Sequence, residues 1–379
     1  MESFLPFGRP DFTDLEIEAV ARVMRSGWVG MGPETIAFEH ELAAATGAHE
    51  VVCVNACTSA LLLSLRVLGV GPGDEVICPS LTWCSSANVA LHLGARPVFC
   101  DIDPHTLCVT PESVLQSLSP RTRAVIPVHL GGRAVDIAAL RAALPDRVHI
   151  VEDAAHALGT RLPGGDPVGA SGHLTCFSFY ANKAVSTGDG GAIAAPDADT
   201  ARQLRSLRVH GLDVDAWQRH GSPREAMAST PLTLLGYKAN YTDLQAAIGR
   251  VQLARQGDFA RRRLAVALRY AQGLPALGMG FQQGLTEPGH ARHLFVVVLP
   301  PALAARRTEL LTALRGRGIG ATVHYPPLHR MPLYATDGPQ RRLPHTDAIA
   351  DRILTLPIGA SVAESDAERV LATLQQVIG

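Results

Sequence analysis

Lys183 follows an apolar and aromatic run, residues 174–179, and precedes the glycine-rich stretch Ser186-Thr187-Gly188-Asp189-Gly190-Gly191. The run reads as a buried strand. A primary amine just past a strand end can condense with an aldehyde to form a Schiff base. Upstream, Asp153 and His156 stand three residues apart after a strand expected over 148–152. They place a carboxylate and an imidazole at another strand end. Thr58 and Ser59 follow the short strand 51–54 and a polar turn, just ahead of a helix expected over 60–68. Free N–H groups at a helix start bind anions, and two hydroxyls would add donors. Ser178 lies in the strand before the lysine, and Trp83 follows a strand over 75–78. Each residue alone has an ordinary reading: a surface lysine, a helix cap at Asp153, Thr58 or Ser59, a core tryptophan at Trp83.

The elements that must position them argue for convergence. Strands alternate with helical stretches over residues 51–194, the pattern of a mostly parallel, doubly wound α/β sheet. Right-handed crossovers then bring the strands' carboxyl ends to one edge, where such sheets bind ligands. Two helices precede the sheet. The first, over 13–25, carries Ile17, Val20, Ala21 and Met24 on one face, with Thr13 or Asp14 as its cap. After a helix at 200–209, residues 212–229 read as a mobile polar loop. A capped helix follows over 242–256. The run Arg261-Arg262-Arg263 in the next helix reads as a solvated face. Beyond it the pattern changes to strands at 293–299 and 321–324 and helices at 302–315, 348–354 and 364–377. The expected division is a large domain, residues 1–250, and a smaller C-terminal α+β domain, residues 251–379.

Composition narrows the classes. With 379 residues, 47% hydrophobic and 18% charged, the chain can build more than one core. A formal charge of −1 gives no electrostatic reason to expect nucleic acid or a membrane as partner. No apolar run is long enough to span a bilayer. The acidic first residues lack a secretory h-region, so a cytoplasmic setting is expected. Seven cysteines without a C-x-x-C pair point to buried thiols and no metal site. Gly69-Val70-Gly71-Pro72-Gly73 has part of a dinucleotide fingerprint, but it follows a helix and opens a strand, so it reads as a turn.

A Schiff-base lysine is useful when a cofactor supplies an aldehyde and an electron sink, and pyridoxal 5′-phosphate supplies both. Its phosphate needs donors, for which Thr58, Ser59 and Ser178 are candidates. Its ring nitrogen needs a carboxylate to stay protonated, and Asp153 offers one. Its faces need flat neighbours, such as His156 or Trp83.

The same residues resemble the DegT/StrS family of pyridoxal-phosphate sugar aminotransferases, which have the fold type I architecture. The matching runs are 55–61, 73–83, 124–129, 152–159, 177–191, 235–249 and 318–325, in the family's order. The resemblance implies that Lys183 bonds the cofactor and that Asp153 partners its ring nitrogen. It implies that His156 stacks on the ring and Trp83 lies beside it. Thr58, the backbone at Ser59, and Ser178 would hold the phosphate. Asn240 would reach the phosphate from the neighbouring subunit, which implies a homodimer with shared sites. Cys57, Leu81, Ala184 and Ala239 depart from the family's usual residues without removing a catalytic group.

The implied reaction moves an amino group from L-glutamate or L-glutamine to the keto group of a nucleotide-linked sugar. Residues 79–83, 107–111 and 210–215 resemble the UDP-4-keto-sugar 4-aminotransferases, while 324–329 diverge from them. Aminotransfer to a cyclitol or other keto substrate stays open, as does a non-catalytic binding or regulatory role. Relatives that dehydrate deoxysugars carry histidine in place of the lysine, and Lys183 argues against that chemistry.

Overall fold

The computed structural model describes residues 4–212, 217, 232, 234–335 and 342–378. Seven of its strands form one sheet: β1 (Glu50–Val54), β2 (Glu75–Pro79), β3 (Arg96–Cys100), β4 (Thr122–Val125), β5 (His149–Asp153), β6 (Leu174–Ser178) and β7 (Gly191–Ala195). Their order is β1-β7-β6-β5-β4-β2-β3. From β3 to β6 every pairing is parallel, whereas β7 runs antiparallel to both β1 and β6. The sheet is therefore mostly parallel, as expected, and apolar layers cover both faces. Val76, Cys78, Ala124, Ile126 and Val151 pack into one core, and their neighbours Ile77, Val125 and Ile150 into another. That alternation is the period of two expected of strands between two layers.

Helices α1 (Asp14–Ser26) and α2 (Pro33–Thr46) precede the sheet. Within it come α3 (Cys57–Val67), α4 (Ser85–His92), α5 (Pro111–Leu115), α6 (Ile137–Ala143) and α7 (Ala198–Leu207). Thr13 caps α1 with a capping box to Glu16. The buried face of α1 is Glu16, Ala19 and Val23, so the expected apolar face is turned outward, with Ile17 62% and Met24 63% exposed. Glu16 explains the rotation. Its Oε1 accepts hydrogen bonds from Gln252 and Arg255, both at 2.7 Å. Burial would raise its pKa, but these bonds and those from Thr13 outweigh it and hold the carboxyl at about 2.

One helix, α8 (Asp243–Gly273), replaces the two expected over 242–263. Its side chain cap is Thr242, which accepts from Gln245 N–H. Phe259, Arg263, Val266, Ala267 and Tyr270 form a continuous buried face. Arg263 is thus buried, not solvated, and its Nη1 donates to Arg292 O at 3.2 Å. The expected division at residue 250 lies inside α8. Gly249 abuts the Phe38 ring of α2, while Gly273 abuts Leu371 near the C-terminus.

The C-terminal sheet is antiparallel, in the order β10-β9-β8, with β8 (Gly280–Phe281), β9 (Phe295–Val298) and β10 (Ile353–Leu356). Residues 321–324 form no strand of this sheet, since only Thr322 bridges to Thr355. The helix expected over 348–354 is instead α9's successor: α9 spans Arg307–Gly316, α10 Pro344–Ala350 with proline in its first turn, and Ile353 and Leu354 pair with β9. A last helix, α11, spans Glu364–Ile378. Apart from Leu212 and Trp217, the expected loop 212–229 lies outside the described residues. Among those described, no helix is long and apolar enough to cross a membrane.

Candidate active site

The carboxyl ends of β1, β2, β5 and β6 meet around a cavity of about 420 Å³. Thr58, Trp83, Asp153, His156, Ser178 and Lys183 all line it. Strand β6 ends at Ser178, and the chain then turns so that Lys183 N–H donates to Tyr180 O at 2.9 Å. Burial lowers the Lys183 ammonium pKa to about 8, with the buried Arg263 also lowering it and Cys57 and Asp153 opposing. Asp153 is the last residue of β5. Its Oδ2 accepts from Ser86 Oγ at 2.7 Å and its Oδ1 from Ala155 N–H at 3.1 Å. Two donors fix the carboxylate and leave further lone pairs free.

His156 Nδ1 accepts from Gly131 N–H at 3.3 Å. The neutral ring therefore carries its hydrogen on Nε2, which lies 3.1 Å from Tyr325 Oη. Burial, then Lys183 and His324, push the His156 pKa well below its ordinary value, so the ring is neutral. Its ring centroid lies 4.4 Å from that of His293, with the planes 33° apart, and 6.1 Å from that of Tyr325, with the planes only 19° apart. Trp83, 59% exposed, leans towards Tyr325 at the mouth with ring centroids 5.8 Å apart.

Helix α3 begins three residues earlier than expected, so Thr58 and Ser59 lie in its first turn. Ala56 stands at the N-cap in extended conformation and provides no side-chain cap. The first-turn N–H groups are left for another acceptor. Thr58 Oγ1 shares a hydrogen bond of 2.8 Å with Ser85 Oγ beside them. Gly191 makes room for this helix start, because a Cβ there would sit 2.6 Å from Cys57 N.

Two expected residues lie outside the cavity wall. Ser59 Oγ donates to Asn55 Oδ1 at 2.7 Å and faces solvent. Asn240 bridges to Val54, and its Nδ2 donates to Tyr241 O at 3.3 Å.

The DegT/DnrJ/EryC1/StrS aminotransferase family profile matches residues 10–375. The chain belongs to this family. Solved relatives match it over nearly their whole length. The aminotransferase TlmJ from Streptoalloteichus hindustanus is 35% identical, with 99% of each chain covered and a TM-score of 0.90. Spr1654 of Streptococcus pneumoniae, assigned as a sugar aminotransferase, is 31% identical in its PLP form, covering 99% of this chain and 98% of that one, with a TM-score of 0.90. A PMP form of it is also known. DesV from S. venezuelae, solved with a ketimine intermediate, is 37% identical, with 96% and 94% covered and a TM-score of 0.84.

Several wall residues of this aminotransferase escaped the reading of its sequence. His293 lies in none of the matching runs, and His324 and Tyr325, though inside the matching run 318–325, were given no role; all three come from the C-terminal part of the chain. Their signal was weak but present: His290-Ala291-Arg292-His293 sets polar side chains directly against the apolar run of β9. Arg263, read as solvated, falls on the helical period of Phe259, Val266, Ala267 and Tyr270, and that period was the signal of its burial. Among the described residues, no group of three or more His, Cys, Asp or Glu could hold a metal ion.

Proposed function

We propose that this aminotransferase moves an amino group from L-glutamate, or L-glutamine, to the keto group of a nucleotide-linked sugar. One observation carries the reading. A lysine of lowered pKa, an anchored carboxylate and an uncapped helix start wall a single cavity. Pyridoxal 5′-phosphate is the cofactor such a set fits: bound there, it supplies an aldehyde that exchanges amines and a ring that takes up the electron pair of a breaking C–H bond.

The chain's own residues do the rest. The first-turn N–H groups of α3, with Thr58 and Ser178, hold the phosphate. Asp153, fixed by Ser86 and Ala155, keeps a proton on the pyridine nitrogen. His156 is held flat by Gly131 and Tyr325 and offers its face to the ring. Lys183 Nζ, once displaced by the donor, would take up the donor's α-proton as base and give it back as acid. Its pKa, lowered by burial to about 8, leaves more of the free amine unprotonated at neutral pH than an exposed lysine has. Trp83 and Tyr180 stand exposed at the mouth, with flat faces suited to a sugar ring.

A homodimer is part of the same reading. The outward Leu15, Ile17 and Met24 of α1 offer apolar surface to a second copy, and Asn240 is free of its own cavity. Sedimentation of the purified protein at a monomer mass contradicts this.

The functional test is an absorbance titration. The yellow holoprotein is expected to bleach with L-glutamate and to regain colour with a keto nucleotide sugar. Recovery with a cyclitol ketone alone moves the acceptor to that class. A protein that binds no pyridoxal phosphate overturns the reading.

A further inference from the structure

We propose that His293 is the positioning residue for the Lys183 amine: its Nε2 accepts a hydrogen bond from Nζ and so turns the amine's lone pair towards the cavity. This rests on the reading of Lys183 as the proton-moving base. The two nitrogens lie 3.4 Å apart. His293 is buried, and its other ring nitrogen, Nδ1, has no partner among the described residues. The hydrogen bonding of this ring is therefore spent on Lys183.

A histidine kept for the fold behaves differently in this same chain. His129 is equally buried, yet its Nε2 meets Glu152 Oε2 at 2.8 Å and its Nδ1 accepts from Val135 N–H at 3.0 Å. Buried polar atoms are normally paired in this way. The half-paired His293 ring is also rigidly placed. Its backbone N–H donates to Gly131 O at 2.9 Å, and the preceding carbonyl, Arg292 O, accepts from Arg263 Nη1. Its face lies 4.4 Å from His156.

Lys183, His156, Arg263 and His324 are the titratable groups that act on His293, and all are basic. Burial first, then these four, push its pKa well below the ordinary value. The ring is neutral at working pH, which an acceptor opposite an ammonium requires.

Two substitutions separate hydrogen bonding from packing. His293→Phe keeps a ring against His156 and removes the acceptor. His293→Gln keeps an acceptor and removes the ring. The first readout uses cofactor-free protein: the pH dependence of Lys183 acylation by acetic anhydride. Lys238, exposed and the only other lysine, serves as internal standard.

His293→Phe is expected to lower the Lys183 midpoint by about one pH unit, because the ammonium loses a charge-assisted bond. His293→Gln is expected to hold it near the wild-type value. The second readout is the glutamate half-reaction of the holoenzyme. There, His293→Phe is expected to lower kcat ~10- to 100-fold with KM little changed, and His293→Gln to lower it less. If His293→Phe matches wild type in both readouts, or His293→Gln is the worse variant, the proposal is overturned. If His293→Phe does not fold, His293→Leu removes the acceptor in its place. Retained turnover in Lys183→Ala instead overturns the underlying reading of the lysine. Abolished turnover there beside a normal His293→Phe overturns this proposal alone.

Discussion

Strand β2 joins two polar clusters of opposite character. At its amino end, Glu75 is buried and saturated. Arg96 and Arg121 each approach its Oε1 at 2.6 Å, and Ser119 Oγ donates to Oε2 at 2.7 Å. Burial would raise the Glu75 pKa, but the bonds from Arg96, Ser119 and Arg121 prevail and hold it at about 2. Beyond its carboxyl end, the cavity groups are held in place yet left with capacity to spare. Among the described residues, Lys183 has one close polar side-chain partner, His293 lacks a bond at Nδ1, and α3 starts without a side-chain cap. A cluster that satisfies itself stabilises the fold. A cluster that is oriented but unfinished awaits a ligand.

The sharpest way to break this comparison is at Lys183. Lys183→Ala is expected to lower kcat by ~10³-fold or more without loss of stability, read by single turnover with L-glutamate and by urea unfolding. Asp153→Asn is expected to lower kcat ~10²- to 10⁴-fold, because the ring nitrogen loses its anionic partner. Unchanged turnover in either variant moves the chemistry out of this cavity.

Glu75→Gln is expected to do the reverse: activity within about twofold of wild type, and stability lower by about 2 kcal/mol at pH 7. The sign follows from a folded pKa below the unfolded one. The Glu75 contribution is complete above about 4.5 and disappears as pH falls towards about 2. Urea midpoints of wild type and variant should therefore converge across that window. A smaller contrast lies within α3. Thr58→Ala is expected to weaken cofactor binding ~10-fold and Ser59→Ala by less than about twofold, measured by equilibrium titration of the apoprotein.

The carboxyl edge was legible in the sequence because its evidence is local. Each strand is a short apolar run, and each candidate follows one within a few residues. Parallel topology does the rest by aligning the ends. Residues that arrive from far along the chain were not legible. His293 lies 110 residues from Lys183, and Tyr325 lies 169 from His156. No local pattern encodes such meetings. The outer face of α1 was misread for a related reason. Its apolar residues do follow a helical period, but Glu16 finds Gln252 and Arg255, and that distant pairing decides which face turns inward. Likewise Arg263 looked solvated beside Arg261 and Arg262, until its neighbours on the helical period proved to be core.

The most direct test is borohydride reduction of the purified holoprotein, followed by peptide mass mapping. Only Lys183 and Lys238 offer side-chain amines in this chain. The account predicts the pyridoxyl mass on the Lys183 peptide, none on Lys238, and none on either after prior treatment with L-glutamate. Label on Lys238, or a Lys183 peptide that stays unmodified in a fully loaded protein, would contradict it.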